Sequence, residues 1–375
     1  MKVLYLTNIP APYRVSFFNE LGKMCDLTVL FERSDANDRN NQWFENKNDN
    51  YKAFYLKGKK LRADSAISIE VLKYLKKDSY NLIVVGGYST ATGMLAINYM
   101  KLIGIPFIIN ADGGLVNREE HWFKRAIKKY YISSADYWLS TANETSEYLN
   151  YYGADSKRIF LYPFTSIQEE SVLRTPIDQK MKKRYKLKLN ISEEKNILSI
   201  GQFIYRKGFD VLLNACVSLP KNYGVYIIGG EPTKEYLILK EKLNLSNVHF
   251  INFKTKKELE EYYLASDLFV LPTREDIWGL VINEAMSYGL PIITTNKCVA
   301  GLELVKNGEN GYIVPANDIG RLAKRINEVL ESDIISENMS NNNLNKIKGY
   351  TIENMAIEHI NIFKTIINNR KKSDK

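Results

Sequence analysis

Short apolar runs alternate with helical patterns along this chain, and the alternation pauses once and restarts. Lys2–Leu6, Leu27–Phe31, Leu82–Val85, Pro106–Ile109, Tyr137–Ser140 and Ile159–Leu161 read as strands. Apolar residues at helical spacing fill the gaps at Arg14–Gly22, Ala66–Leu75, Thr90–Leu102, Glu119–Ile132 and Glu144–Tyr151. Strands that alternate with helices build a parallel, doubly wound sheet. Phe164–Glu194 then loses the period; it holds Pro176 and the basic run Lys180–Lys188 and reads as a linker. The pattern resumes with strands at Asn196–Gly201, Val225–Gly229, Val248–Ile251, Leu268–Leu271 and Pro291–Thr294. Helices are expected at Phe209–Leu219, Lys234–Leu243, Lys257–Ala265, Leu280–Tyr288 and Ile319–Leu330. The expected class is α/β, with two doubly wound Rossmann-like domains at residues 1–170 and 185–350. A chain of 375 residues is long enough to give each its own core.

Several function classes drop out. No GxGxxG follows a strand and no GxxxxGK[ST] occurs, which argues against a Rossmann dehydrogenase or a P-loop enzyme. Cys25, Cys216 and Cys298 are odd in number and widely spaced, which fits a reducing compartment. Met1–Leu6 is too short for a signal-peptide core, and the apolar region Leu82–Ile109 is broken by Asn98, Lys101 and Pro106. A cytoplasmic protein is expected, with the inner face of the cell membrane as a further option. The 52 basic against 43 acidic residues leave a net charge of +9, which suits anionic partners. A nucleic-acid partner is not expected, because no basic motif with stacking aromatics stands out. Two Asp residues never stand two apart, and His121, His249 and His359 are scattered, so no metal is expected.

The stretch Pro272–Pro291 carries the most chemistry. An apolar run, Asp267–Leu271, ends at Pro272; a polar loop follows, then a helical pattern closed by Gly289 and Pro291. The amides of Gly279, Leu280 and Val281 would open that helix, leaving unpaired N–H donors at its positive end, which suits a phosphate. Glu284 lies in about the second turn, where a carboxylate can accept two hydrogen bonds from a ribose diol. Asp276, in the loop, could hold hydroxyls of a sugar on the far side of a diphosphate. The plainer alternative is a solvated acidic loop before an ordinary helix. A second stretch, Ser199–Gly208, ends a strand and carries Gly201, Arg206 and Lys207, a fork and a point charge fit for a diphosphate clamp. The two cations would also stabilise a departing nucleotide.

Together these stretches resemble the signature of glycosyltransferase family 4, retaining, sugar-nucleotide-dependent enzymes of the GT-B type. That signature carries a Glu, seven residues, a second Glu followed by Ala, and then Gly and Pro. Here the second Glu is Glu284 in Asn283-Glu284-Ala285, and Asp276 stands at the first, keeping the charge on a shorter arm. The family's Gly-Arg is replaced by Gly201-Gln202, while Lys207-Gly208 matches. Val299–Val314 is also similar to the family, and its residues read as a short helix and a turn with Gly308 and Gly311. The resemblance implies two domains facing a cleft, with a last helix at about 352–375 returning to the first. It places Gly230 near the base and phosphates and implies metal-independent transfer from a nucleoside-diphosphate hexose, a UDP-sugar being favoured. Bacterial capsule or O-antigen synthesis follows from the family's habits and an Asn/Lys/Ile-rich composition.

The acceptor side is read from the other strand-end loops. Asn8, Tyr13, Arg14 and Gly113 are expected to line a pocket for a glycan or lipid-linked acceptor. Where many family members carry a catalytic His, this chain reads Asn110-Ala111-Asp112-Gly113-Gly114, so Asp112 is the candidate. The segment His121–Tyr131 sets an apolar face beside a basic one; it can lie on an anionic membrane or pack on the sheet with its lysines in water. A GT-B sugar-nucleotide epimerase and a non-catalytic nucleotide-sugar binder are the rival readings.

Overall fold

The computed structural model describes residues 1–33, 50–62 and 65–373. It divides into two compact units, one of residues 1–166 with 350–375, the other of residues 167–349.

In the first unit the strands are β1 (Lys2–Thr7), β2 (Asp26–Phe31), β3 (Lys52–Tyr55), β4 (Lys59–Arg62), β5 (Ser65–Ile67), β6 (Leu82–Val85), β7 (Ile108–Ala111), β8 (Tyr137–Ser140) and β9 (Ile159–Leu161). The helices are α1 (Pro12–Gly22), α2 (Ala91–Ile103), α3 (Trp122–Ile132) and α4 (Asn143–Tyr151). Seven strands form one sheet in the order β3-β2-β1-β6-β7-β8-β9, every pair parallel. Central strands read as unbroken apolar runs because helices cover both faces: β6 is buried at every residue. The order reverses between β1 and β6, the switch at which a doubly wound sheet opens a crevice.

The second unit holds α5 (Gln179–Lys188), β10 (Lys195–Ile200), α6 (Phe209–Cys216), β11 (Tyr223–Ile228), α7 (Lys234–Lys242), β12 (Val248–Ile251), α8 (Lys256–Ala265) and β13 (Leu268–Leu271). It continues through α9 (Leu280–Ser287), β14 (Ile292–Thr295), α10 (Val299–Leu304), β15 (Gly311–Val314), α11 (Ile319–Leu330) and α12 (Asp333–Ile347). Its sheet runs β12-β11-β10-β13-β14-β15, again all parallel, with the switch between β10 and β13. The last helix, α13 (Ile352–Ser373), belongs to the first unit, where it packs along α1 and sets His359 on the Phe17 ring at 4.6 Å.

Three expectations need correction. Ala66–Leu75 is not a helix: β5 pairs antiparallel with β4, and a single 3-10 turn follows at Ile69–Lys73. Thr92 causes the difference, since its hydroxyl donates to the Ala66 carbonyl and accepts from the Ser68 amide, holding that backbone extended. The basic run Lys180–Lys188 is not bare linker but helix α5, capped by Asp178, with Lys182 and Lys186 both bound to buried Asp267. After α10, the turn at Gly308 leads into a further strand, β15. Elements without a clear apolar period went unseen: β3 is an edge strand with mostly exposed side chains, and α12 is Asn-rich. No helix among the described residues is long and apolar enough to cross a membrane.

Candidate functional site

Both motifs of the second unit leave the carboxyl ends of the strands that flank its switch. The loop after β10 carries Gly201, Arg206 and Lys207; the loop after β13 carries Asp276 and leads into α9. Glycine lets the loops meet. Gly208 has φ +68°, and a Cβ there would lie 2.2 Å from the Pro272 carbonyl oxygen. The aliphatic stem of Lys207 packs over Gly201, where a Cβ would stand 3.3 Å from it.

Lys207 Nζ donates to Asp276 Oδ2 at 2.6 Å, in an ion pair whose side chains are 13% and 10% exposed. Arg206 reaches Asp276 Oδ1 at 3.5 Å and donates to the Glu275 carbonyl at 2.7 Å. The three charged side chains read from the two motifs therefore form one cluster, with Asp276 on the cations rather than set apart from them. Backbone bonds from the Asp276 amide to Lys297 and from the Val299 amide to Asp276 pin the carboxylate from behind.

Gly279 caps α9 at φ +103°. Among the described residues the amides of Gly279, Leu280 and Val281 have no acceptor, so the start of α9 presents a set of open donors. Glu284, half-buried on the same helix, accepts from the Tyr263 hydroxyl at 2.9 Å. Burial, reinforced by Glu284, pushes the Tyr263 hydroxyl well above its ordinary pKa, so it stays a donor and aims the carboxylate. Gly230, at φ +104° after β11, has open space where a Cβ would be.

Two supports of this site were missed. Arg274 forks onto Asp210 at 2.6 and 2.8 Å, donates from its amide to the Arg206 carbonyl, and lies over the Tyr205 ring at 3.9 Å. It fixes the shape of the Arg206 loop. Tyr263 lies 21 residues before Glu284, with its ring stacked on Tyr288 at 4.9 Å. Arg274 lies inside the Pro272–Pro291 stretch but carried no assigned role, and Tyr263 lies outside both motifs; only the fold shows what each holds.

In the first unit, Asp112 sits just past β7 with its carboxylate bound to Arg14, to Asn110 Nδ2 at 2.7 Å and to the Tyr162 hydroxyl at 3.3 Å. Arg14 was expected to line an acceptor pocket; it is instead 3% exposed, among the rings of Tyr5, Tyr13 and Phe164. Burial works against its charge, but Asp112 outweighs burial and holds Arg14 above its ordinary pKa. Arg14 thus positions Asp112 from below. Tyr13 is half-buried, edge-on to Phe164; Asn8 turns its Oδ1 onto the Ile9 amide at 2.9 Å, and half-buried Gly113 follows Asp112. Under this network lies His359, which was not anticipated. Its ring faces Tyr162 at 4.5 Å, Nδ1 donates to the Met355 carbonyl at 2.7 Å, and burial pushes its pKa down to about 3. His121 is exposed and caps α3, accepting from the Phe123 amide.

Known proteins resemble this chain most clearly where the first of these sites lies. Residues 181–346 match the family model described as "Glycosyl transferases group 1". Lipopolysaccharide glucosyltransferase WaaG of Escherichia coli is 34% identical over 139 residues, 36% of this chain and 34% of that protein. The chain spans half or less of the length of the curated relatives it matches first. Two solved structures extend over nearly all of it. Sucrose-phosphate synthase from Thermosynechococcus elongatus gives a TM-score of 0.78 at 18% identity, covering 98% of this chain and all of its own. HepE from Anabaena, in complex with UDP and glucose, gives 0.74 at 15% identity and 99% of each chain. The fold is the two-domain α/β fold of GT-B glycosyltransferase structures.

Proposed function

We propose that the chain is a glycosyltransferase that moves a hexose from a nucleoside-diphosphate sugar to a glycan or lipid-linked acceptor. The observation that carries this reading is the open amide set at the start of α9 standing with Lys207 and Arg206 at the switch of the second sheet. Such a place holds a diphosphate without a metal, since N–H donors, a helix dipole and two cations supply the charge. An ammonium has three donors, so Lys207 can stay on Asp276 while reaching a phosphate oxygen. Asp276 is then held to accept from sugar hydroxyls, and Glu284, aimed by Tyr263, accepts from the ribose diol.

UDP is the favoured nucleotide; HepE of the same fold is described in complex with UDP and glucose. Retention of configuration is the favoured course. Attack by the acceptor hydroxyl from the face the nucleotide leaves lets the departing phosphate take the proton, so no catalytic His is needed. Asp112, 28% exposed and held from below by Arg14, is assigned to the acceptor hydroxyl. The relatives include a lipopolysaccharide glucosyltransferase and a protein of a cps region, which supports bacterial surface polysaccharide as the product, capsule or O-antigen. A cytoplasmic enzyme working at the inner face of the cell membrane fits a lipid-linked acceptor.

The test is turnover of a panel of UDP-hexoses with lipid extracts in the presence of EDTA, following nucleotide release and the sugar product together. Transfer with the anomeric configuration kept is expected. An epimerised sugar nucleotide formed without acceptor would make the chain an epimerase, and binding without turnover would make it a sensor or scaffold.

A further inference from the structure

The switch of the first sheet lies between β1 and β6, and ligands of such sheets bind beyond the strand ends beside it. The loop after β6, Gly86-Gly87-Tyr88, stands at that place. Register brings Tyr88 to Asp112. Val85 of β6 pairs with Ile109 of β7, so by count Tyr88 and Asp112, each three residues on, leave neighbouring strands at the same height. The contacts agree with the count. The Tyr88 hydroxyl bonds that of Tyr148 at 2.7 Å, and a Cβ on Gly114, two residues past Asp112, would stand 2.7 Å from the Tyr148 ring. The Asp112 loop therefore lies on the ring whose hydroxyl holds Tyr88.

Tyr88 is fixed in place without being used up. The Thr90 amide donates to the Gly87 carbonyl at 3.2 Å and closes the turn around Tyr88. A Cβ on Gly93 would stand 1.7 Å from the same carbonyl oxygen, so the first turn of α2 presses on that peptide. Tyr148 is buried, and the Lys128 ammonium, paired with Glu120 at 2.5 Å, lies 5.6 Å from its ring centre. A cation there draws on the Tyr148 oxygen and favours Tyr148 as the donor of the pair. Tyr88 then accepts with one lone pair and keeps its own proton. Burial pushes the Tyr88 hydroxyl up to about 12, so that proton stays on through neutral pH. Among the described residues Tyr148 is the one hydrogen-bond partner of this hydroxyl, and the Tyr88 side chain is half-buried rather than enclosed.

We propose that Tyr88 is a positioning residue for the acceptor, its hydroxyl donating to the ring hydroxyl next to the one that Asp112 receives, so that the pair reads a vicinal diol. The inference rests on the glycosyltransferase reading and gives its acceptor a chemical class: a sugar whose reactive hydroxyl has a free hydroxyl beside it. The two protein groups differ in kind, since a carboxylate only accepts and the tyrosine has a proton to give. Neighbouring strand ends lie about 4.8 Å apart, a span that two adjacent ring hydroxyls can bridge with one hydrogen bond at each end.

The test offers octyl glucoside, octyl galactoside and octyl mannoside as acceptor probes to the full chain, with UDP-glucose or UDP-galactose as donor. Nucleotide release and the octyl disaccharide are followed together. The probe that accepts is then supplied with the hydroxyl next to the new linkage replaced by hydrogen. Wild type should lose about tenfold in kcat/KM on that deoxy probe, the worth of one hydrogen bond. Tyr88→Phe should lose about tenfold on the parent probe, in KM rather than kcat, and nothing further on the deoxy probe. A tyrosine with a merely structural role would not erase that discrimination. The variant keeps the ring, so its unfolding midpoint, and the rise of that midpoint with UDP, should match the wild type. Equal loss on the deoxy probe by wild type and the folded variant would overturn the proposal, as would wild-type use of the parent probe by Tyr88→Phe. Transfer to none of the octyl probes while the donor is hydrolysed would overturn it too, and would leave the donor site standing. Neither transfer nor hydrolysis, with no nucleotide shift of the midpoint, would strike the glycosyltransferase reading itself and this one with it.

Discussion

Each unit holds a carboxylate and an arginine or lysine at the edge of a doubly wound sheet, and the two pairs are built for different ends. In the first unit Arg14 lies inside the protein, and Asp112 is its countercharge, fixed also by Asn110 and Tyr162. In the second, Lys207 keeps donors to spare beside open helix amides, and Arg206 is 42% exposed. The first pair is wrapped in hydrogen bonds made on folding; the second leaves capacity that only a ligand can use. An ion pair at a strand end therefore says little by itself; what its donors have left over separates a support from a binding site.

The sharpest way to break this comparison is to remove one partner from each. Asp112→Ala leaves a buried guanidinium without its countercharge, and unfolding stability should fall by about 3–5 kcal/mol. Lys207→Ala leaves Asp276 with Arg206 still beside it at 3.5 Å, so it should cost less stability while abolishing most nucleotide affinity; denaturant unfolding and calorimetry read the two. Equal stability losses would erase the distinction. Glu284→Ala comes next, with nucleotide affinity down by about 10- to 100-fold, the worth of hydrogen bonds to a charged group, at little cost in melting temperature.

A pH series sharpens the first unit's side. His359 is held neutral, its pKa pushed down to about 3 by burial, whereas an unfolded His takes its proton near 6.5. The unfolded chain therefore binds a proton that the folded chain refuses between those values. Stability should be full above pH 6.5 and fall by about 1.4 kcal/mol for each unit below it. Calorimetric scans of wild type and His359→Gln should differ in that slope, and parallel profiles would show that the ring titrates freely. The smallest effect belongs to Tyr263→Phe, which removes the bond that aims Glu284 and should weaken nucleotide binding about fivefold, a hydrogen bond's net worth. Unchanged affinity would mean Glu284 needs no aiming.

What could be read from the chain follows from how local the causes are. Central strands were legible because each is a short apolar run buried on both faces, and Gly and Pro punctuate the loops at the second switch. Arg206, Lys207, Asp276 and Glu284 sit in such loops or just past them, so their neighbourhood could be inferred before any fold was known. Where a cause is distant, nothing local marks it. Thr92 decides the conformation of Ala66–Ser68 from the next helix, Arg274 shapes a loop 69 residues away, and His359 reaches Tyr162 from the last helix. Arg14 looked like a pocket residue because it follows a strand-end loop; its burial against Asp112 is a product of the sheet.

The proposed donor site in the second unit would hold a nucleoside diphosphate without a metal, and thermal unfolding with UDP, GDP, ADP and CMP, each with and without EDTA, tests this most directly. One diphosphate should raise the midpoint, by about 2.7 kcal/mol of added stability at a hundred times its dissociation constant, equally with EDTA present. The shift should vanish in Lys207→Ala. No response to any nucleotide, or a response that EDTA removes, would contradict the account.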